Sequence, residues 1–232
     1  GSTDGTLDIL RRYEGRLQWR SEPDTGQANA INKGFRLSTG DIVAWLNSDD
    51  IYLPEALHHV ARFFQQHPEV DVLYGDFWWI DAQGRKLLAR REIPFDADIL
   101  LYGLNYIGQP TVFFRRRVFD LAGYLDESLH YGLDWEYWLR IADRGGKFAH
   151  LPRFLAATRL HTTAKTVTAP AEMFAEHRAI RQKYWRKRRF DSVHLQGLYE
   201  AWLNKFYRAK RQWCKVTLRH TFDWLPASRM MK

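Results

Sequence analysis

The stretch Trp45-Leu46-Asn47-Ser48-Asp49-Asp50-Ile51-Tyr52-Leu53-Pro54 joins a predicted strand to a predicted helix. The preceding run, Asp41–Leu46, is mostly apolar with β-branched and aromatic residues, which is typical of a buried strand. Pro54 suits the first position of a helix, and Glu55 suits its first turn. The sequence therefore predicts an α/β fold in which short polar residues follow a strand of the sheet.

Two of these polar residues are adjacent acids, Asp49 and Asp50. The carboxyl ends of buried strands are where open α/β sheets bind ligands. Carboxylate oxygens that share a site with phosphate oxygens suit Mg²⁺ or Mn²⁺. The alternative is a polar turn in which Asp50 or a neighbour caps the next helix and holds no ion.

Length and composition restrict the class of protein. The 232 residues fit one domain, or one domain with an appendage. No run of about 18 apolar residues occurs, so no membrane-spanning helix is predicted. The polar start, Gly1–Thr6, does not resemble a signal peptide. The single cysteine, Cys214, excludes an internal disulfide and a cysteine metal cluster, and a reducing, cytoplasmic setting is expected.

The net charge of +8 belongs to the carboxyl-terminal part of the chain. Residues Ala171–Lys232 contain 15 Lys+Arg and 5 Asp+Glu, whereas Gly1–Pro170 contains 20 and 22. Apolar spacing predicts helices over Met173–Tyr184 and Val193–Trp213. Basic helices that carry Trp and Phe can lie on an anionic membrane surface. Alternatively, they pack on the core and expose their charges. The tail has no nucleic-acid motif, so no nucleic acid is expected as a partner.

A second acidic constellation lies in Gly132–Ile141. Asp134 stands near the predicted start of a helix, where the helix N-terminus stabilises a negative charge. A fixed, ionised carboxylate suits a general base. Glu136, two residues later, is the second choice for this role. The alternative is that Asp134 only caps a core helix.

Other segments predict further elements of the sheet and its flanking helices. His161 closes one predicted strand, and its ring can bind metal or phosphate, although a lone histidine is also common as a structural residue. Lys165 offers a point charge to phosphate. Gly26 leads into a predicted helix. The remaining predictions are a helix over Glu55–His67 and strands over Arg16–Arg20, Val70–Asp81, Lys86–Arg90, Val112–Phe114, Lys147–Leu151 and Phe154–His161.

Four of these motifs occur in an order that resembles family 2 glycosyltransferases, which have the GT-A fold. They are Gly-Ser-Thr-Asp-Gly-Thr at 1–6, Asn-Ser-Asp-Asp at 47–50, Asp-x-x-x-Trp-Leu-Arg at 134–140 and His-x-x-x-Lys-Thr at 161–166. Gly26, Ala30, Asn32 and Gly34 match a further stretch of the family. The resemblance covers about residues 1–168. It implies a mixed sheet flanked by helices at 1–168 and leaves a basic, amphipathic helical tail at 169–232.

The resemblance implies an inverting, metal-dependent glycosyltransferase of polysaccharide or glycolipid assembly. Its donor is a nucleoside-diphosphate sugar of the UDP, GDP or dTDP type, and its acceptor is a glycan or lipid-linked hydroxyl. The tail suggests a peripheral position at the inner face of the membrane. By this resemblance the base is Asp134, Mg²⁺ or Mn²⁺ is held by Asp49, Asp50 and His161, and the donor is contacted by Asp4, Gly26, Gln27, Asn47, Asp49 and Lys165.

The sequence also departs from the family pattern. The acids that precede the Gly-Ser of the first motif are absent, as are a strand, a helix and a second strand expected upstream. Two other classes stay open. The missing strands suggest a catalytically inactive partial domain that serves as a binding module. The basic tail suggests a module that binds an anionic surface, nucleic acid or membrane, and of these the membrane is favoured.

Overall fold

The computed structural model describes residues 1–160, 170–184 and 193–219. A π-helical turn, Ile99–Gly103, and a 3-10 turn, Gln109–Thr111, lie between the regular elements. The helices are α1 Thr6–Arg11, α2 Gln27–Leu37, α3 Ala56–Gln66, α4 Val118–Ala122, α5 Leu133–Asp143, α6 Pro170–Tyr184 and α7 Val193–Arg219. The strands are β1 Ile42–Val43, β2 Ile51–Tyr52, β3 Val72–Ile80, β4 Lys86–Arg90, β5 Phe113–Arg115 and β6 Phe148–Arg159.

The strands form one mixed sheet in the order β1-β5-β3-β6-β2, and β4 also pairs with β3. The central strands β3 and β6 run parallel, from Val72 opposite Phe148 to Ile80 opposite Arg159. The other pairs are antiparallel. The two short strands β1 and β2 flank the Asn47–Asp50 turn, so the turn begins beside one part of the sheet and ends beside another.

Alternation along β3 divides the core into two layers, as the period of a strand requires. Val72 and Tyr74 belong to the larger layer, which includes Phe35 of α2 and Trp138 of α5. Leu73 belongs to the smaller layer, which α3 covers with Ala56, Val60 and Phe64. Helices therefore pack on both faces of the sheet, as the sequence predicted.

The carboxyl-terminal helices pack on the same core. Leu203 of α7 is buried, and Tyr207 stacks on Tyr102 at 5.5 Å between ring centroids. A side chain at Gly103 would place a Cβ 3.2 Å from that of Tyr207, so the absence of a side chain allows α7 to approach the π-helical turn. Two basic residues of α7, Arg211 and Lys215, are buried rather than exposed. The proposed division of the chain between residues 168 and 169 stays a prediction.

Several predicted boundaries were wrong, for identifiable reasons. In Asp41–Leu46, only Ile42 and Val43 form a strand, because β5 pairs with these two residues alone. Arg16–Arg20 contains no strand; its start is a turn in which the Leu17 amide donates to the Tyr13 carbonyl. The separate strands predicted at Lys147–Leu151 and Phe154–His161 are one strand, β6, which crosses Pro152 with irregular register.

Helix α3 begins at Ala56, one residue later than the predicted helix over Glu55–His67 and two residues after Pro54, which suited its first position. Glu55 lies outside it in the left-handed region, with φ of 63°. Pro54 and Glu55 therefore belong to the connection between β2 and α3. Among the described residues, no helix is both long and apolar enough to cross a bilayer.

Candidate active site

The turn that follows β1 is tied to two other segments through side-chain amides. Gln27 Nε2 donates to Asn47 Oδ1 at 3.1 Å, and Asn47 Nδ2 donates to Gln109 Oε1 at 3.1 Å. Gln109 Nε2 then donates to the Trp45 carbonyl at 2.8 Å. The structure thus brings together Gln27 and Asn47, two residues that the sequence predicted for donor binding.

Gly26 stands directly before α2 and has φ of 139°, a conformation that side-chain-bearing residues rarely adopt. Asp24 Oδ1 accepts the Gly26 N–H at 2.9 Å and fixes this turn. Among the described residues, no side chain caps the start of α2, so its first N–H groups lack a capping oxygen. Helix N-termini of this kind favour phosphate oxygens.

Asp49 and Asp50 close the turn, whose Asp50 N–H donates to the Asn47 carbonyl at 3.1 Å. Asp50 is buried, and its Oδ1 accepts the Arg159 N–H at 3.1 Å. Burial raises the pKa of Asp50 to about 6; the neighbouring Asp49 charge adds to this, and the Arg159 hydrogen bond opposes it. Neither acid caps α3, because Glu55 occupies the capping position. The capping alternative for Asp50 is therefore excluded.

The chemistry of these two acids fits a hard divalent cation. They offer adjacent carboxylate oxygens, and burial together with the neighbouring Asp49 charge raises the pKa of Asp50, so a bound cation would stabilise its anion. Within the described ranges, no group of three or more His, Cys, Asp or Glu side chains forms a complete metal centre. The third predicted ligand, His161, lies outside the described residues, as does Lys165.

Asp134 is the second residue of α5, close to the predicted helix start. Its Oδ1 accepts the Trp135 N–H at 2.7 Å, and its Oδ2 lies 3.4 Å from Asn105 Nδ2. Burial raises the pKa of Asp134 to about 6, although both hydrogen bonds act to lower it. The residue is thus a half-buried carboxyl that is ionised at neutral pH and has increased basicity.

Glu136, the second choice for a base, is committed to other partners. Its Oε2 accepts Arg140 Nη2 at 2.8 Å, and its Oε1 accepts Lys183 Nζ at 2.8 Å and the Tyr184 hydroxyl at 2.5 Å. Burial alone would raise the pKa of Glu136, but these hydrogen bonds leave it below its usual value. Glu136 links α5 to α6 and is not available as a base.

Two structural links connect the Asn47–Asp50 turn, which we call the acid turn, to α5. Trp45 stacks on Trp138 at 5.4 Å between ring centroids. The segment from Asn105 to Gln109 reaches Asp134 at one end and Asn47 at the other. Asn105 and Gln109 were not among the predicted site residues. The Gln109-Pro110 pair, which precedes a predicted strand, is a sequence feature that could have identified Gln109. No local sequence feature could have identified Asn105, because its position near Asp134 depends on the tertiary fold.

Among the described residues, Asp4 makes no contact with this network. Its Oδ1 accepts the Thr6 N–H at 3.0 Å, and hydrogen bonds from Thr6 lower the pKa of Asp4. Among the residues that the structure describes, these contacts keep Asp4 at the start of α1. Its proposed contact with the donor stays a prediction.

The sequence model of Glycosyl transferase family 2 matches residues 1–121, just over half of the chain. The chain belongs to glycosyltransferase family 2. A PGL/p-HBAD biosynthesis glycosyltransferase of Mycobacterium bovis is 33% identical over 152 residues, covering 60% of this chain and 54% of the relative. The amylovoran biosynthesis glycosyltransferase AmsE of Erwinia amylovora is 31% identical over 140 residues, covering 60% and 52%. This chain therefore spans about half the length of the curated relatives it matches.

Solved structures confirm the fold of this family 2 chain. S. aureus TarS 1-349 in complex with UDP-GlcNAc superimposes with a TM-score of 0.61 at 17% identity, covering 95% of this chain and 65% of TarS. The mannosyltransferase PcManGT of Pyrobaculum calidifontis, in complex with GDP-Man and Mn²⁺, gives a TM-score of 0.56 at 16% identity, covering 100% and 67%. The GT-A-type mixed sheet flanked by helices is thus confirmed.

Proposed function

We propose that this chain transfers a sugar from a nucleoside-diphosphate sugar to a hydroxyl acceptor, with inversion and with a divalent metal ion. The observation that carries the proposal is the segment Asn105–Gln109, which links the Asn47–Asp50 turn to Asp134. In a single displacement, the acceptor oxygen attacks the anomeric carbon from the side opposite the leaving diphosphate. The diphosphate site and the base must therefore lie on opposite sides of the transferred sugar. A short, fixed connection between the two groups supports that arrangement.

The donor side consists of the α2 start and the acid turn. The side chain of Gln27, the first residue of α2, contacts Asn47, and we propose that the helix start and Asp49 bind the diphosphate together. TarS and PcManGT, which share the fold, are described with UDP-GlcNAc and GDP-Man. We therefore propose a UDP, GDP or dTDP sugar as donor, with Lys165 adding charge at the diphosphate and Asp4 contacting the nucleoside. Catalysis of this kind depends on fixed charges opposite the leaving group.

The metal proposal concerns Asp49 and Asp50, with His161 as a further ligand. Mg²⁺ or Mn²⁺ bound by these residues would neutralise the diphosphate leaving group. The carboxylate oxygens and the raised pKa of Asp50 support this assignment. PcManGT, in complex with Mn²⁺, offers a precedent in the same fold.

Asp134 is the proposed general base. With a pKa of about 6, the carboxylate is ionised at pH 7 and accepts the acceptor hydroxyl proton as that oxygen attacks the anomeric carbon. The hydrogen bond from the Trp135 amide fixes one carboxylate oxygen. The second oxygen, near Asn105, is then the one that faces the reaction.

The names of the relatives and the outer face of α7 support our proposal for the acceptor class. The relatives are named for PGL/p-HBAD and amylovoran biosynthesis, which supports a glycan or lipid-linked acceptor. On α7, Leu198, Trp202, Phe206 and Trp213 are between 47% and 71% exposed, and Lys205 lies among them and is exposed as well. A helix face of aromatic and basic residues fits an anionic bilayer surface, so we propose peripheral attachment at the inner face of the membrane.

Release of nucleoside diphosphate from UDP-glucose, UDP-GlcNAc and GDP-mannose, measured with and without Mn²⁺, tests the enzymatic proposal. We expect release from one donor class, dependent on metal, and abolished by Asp134→Asn and by Asp49→Ala. Full turnover in Asp134→Asn would overturn the base, and metal-independent activity in Asp49→Ala would overturn the metal site. Absence of both release and nucleotide binding would favour the inactive binding module.

Sedimentation with vesicles of phosphatidylcholine, with and without phosphatidylserine, tests the membrane proposal separately. We expect co-sedimentation with the anionic vesicles and its loss in Trp202→Ser/Phe206→Ser. The matched control is Leu57→Ser on α3, which removes an equally exposed apolar residue elsewhere. Equal binding of the variant and the unchanged protein would contradict the assignment of α7.

A further inference from the structure

The carboxylate of Glu176 on α6 accepts three consecutive backbone N–H groups. Oε2 accepts the His130 amide at 2.8 Å, while Oε1 accepts the Tyr131 amide at 2.8 Å and the Gly132 amide at 2.6 Å. Gly132 is the residue immediately before α5. One side chain thus holds the backbone that leads into the helix carrying Asp134.

This contact suits an anion. Charge-assisted hydrogen bonds from backbone amides to a carboxylate are shorter and stronger than neutral ones. The three amides also lie at the N-terminus of α5, where the helix dipole stabilises negative charge. With three hydrogen bonds, the Glu176 carboxylate fixes both the position and the orientation of the loop 130–132.

The remaining contacts of α6 reinforce this placement. A Cβ on Gly132 would lie 2.5 Å from Ile180 Cδ1 and 3.1 Å from His177 Cδ2, so the glycine allows α6 to lie directly on the loop. His177 meets the Trp135 ring edge to face at 5.1 Å. Helix α6 therefore contacts the chain on both sides of Asp134, at Gly132 and at Trp135.

We propose that Glu176 is a positioning residue for the reaction: its carboxylate sets the orientation of Asp134 by fixing the amides of His130, Tyr131 and Gly132. This inference rests on the proposed role of Asp134 as general base. It gives α6, which lies beyond the part of the chain matched by the family, an indirect part in catalysis through Asp134. Glu176 touches neither the donor nor the acceptor in this account.

Substitutions of Glu176 should have different kinetic effects depending on whether this residue positions Asp134 or only stabilises the fold. Glu176→Gln keeps one carbonyl oxygen and so retains part of the contact, whereas Glu176→Ala removes it. Small displacements of a catalytic group cost up to about 100-fold in rate, so we expect kcat to fall about ten-fold in Glu176→Gln and further in Glu176→Ala. The KM for the donor should stay unchanged, because the donor side lies on α2 and the acid turn.

The matched control is Glu172→Gln, which changes an exposed glutamate one turn earlier on the same helix. Donor-dependent release of nucleoside diphosphate is measured together with hydrogen–deuterium exchange of a peptide covering 128–134 and with thermal unfolding. We expect faster exchange at the amides of 130–132 in both Glu176 variants, with unchanged exchange in α2. The control should match the unchanged protein in each measurement.

The outcomes distinguish this inference from the proposed function. If Asp134→Asn is inactive while Glu176→Ala keeps full kcat, the positioning role is wrong and the base assignment stands. If Asp134→Asn is fully active, the base assignment itself fails. A fall in kcat that is matched by equal loss of donor binding and of global stability would show that Glu176 serves only the fold.

Discussion

Asn47 Nδ2 donates a 3.1 Å hydrogen bond to Oε1 of Gln109, a residue 62 positions later in the chain. Gln109 Nε2 also donates a hydrogen bond to the Trp45 carbonyl. Gln109 therefore contacts both the Asn47 side chain and the backbone just before the acid turn. The orientation of Asn47 towards the proposed donor therefore depends on the segment that also carries Asn105.

Replacing Gln109 by alanine should weaken donor binding. Each hydrogen bond of this type is worth about 1 kcal/mol, so loss of two bonds predicts an increase in the KM for the donor of up to roughly 30-fold. The kcat should change less, because Asp134 is untouched. Steady-state kinetics of nucleoside diphosphate release checks this, with Gln83→Ala in the exposed β3–β4 turn as control. An unchanged KM would show that Gln109 does not orient the turn.

The rate should depend on pH through Asp134. Because its pKa is about 6, the proportion of the active carboxylate falls as the pH is lowered through 6. The pH profile of kcat/KM should therefore show an acidic limb near pH 6 at saturating Mn²⁺. A flat profile between pH 5 and 7 would contradict a base with this pKa.

Asp134→Asn should stabilise the fold while abolishing activity. The carboxyl has a higher pKa when folded than its ordinary 3.8, so its contribution to stability is greatest below pH 3.8 and is lost as pH rises through 6. A rise of roughly two units corresponds to at most about 3 kcal/mol at pH 7. We expect a higher melting temperature than the unchanged protein at pH 7.5 and little difference near pH 4.

Equal melting temperatures at pH 7.5 would contradict this prediction. The amide at position 134 has a partner available, because Asn105 Oδ1 accepts no hydrogen bond among the described residues. Rotation of the Asn105 amide would pair the two side chains. Loss of activity in the variant is therefore not expected to come from unfolding.

The attachment of α7 to the core should depend on Arg211. Its Nη2 contacts both oxygens of Glu92, at 2.9 Å and 2.7 Å, and both residues are buried. Removing one member of a buried pair leaves an uncompensated charge and costs roughly 3 kcal/mol, reduced here because Lys215 and Arg90 also lie near Glu92. Arg211→Ala should lower the urea midpoint clearly.

The control for this prediction is Lys205→Ala, which removes an exposed cation from the same helix. We expect its urea midpoint to match that of the unchanged protein, because exposed charges contribute little to stability. If both variants unfolded at the same urea concentration, the buried pair at Glu92 would not hold α7.

The sequence was sufficient to predict the elements whose signals are local. The apolar, β-branched and aromatic residues around Leu73 predicted β3, and the polar residues after Leu46 predicted the position of the acid turn. Gly26 predicted the start of α2, which begins at Gln27. Asp134 predicted the start of α5, which begins at Leu133. In each case a backbone preference and an apolar pattern indicated the same element.

The features that the sequence could not predict depend on contacts between residues that are far apart in the chain. The strand at Ile42 ends early because β5 offers only two paired residues, which no local pattern records. The burial of Arg211 and Lys215 on a basic helix depends on Glu92, more than one hundred residues earlier. The role of Asn105 likewise depends on a contact with Asp134 across the fold.

Calorimetric titration of UDP, GDP and dTDP into the purified chain, with and without Mn²⁺, tests the central claim most directly. The account predicts that one nucleotide binds, that Mn²⁺ strengthens the binding, and that Asp49→Ala loses the metal dependence while Asp134→Asn retains full affinity. Absence of binding by all three nucleotides in the presence of Mn²⁺ would contradict the claim that this chain forms a working donor site.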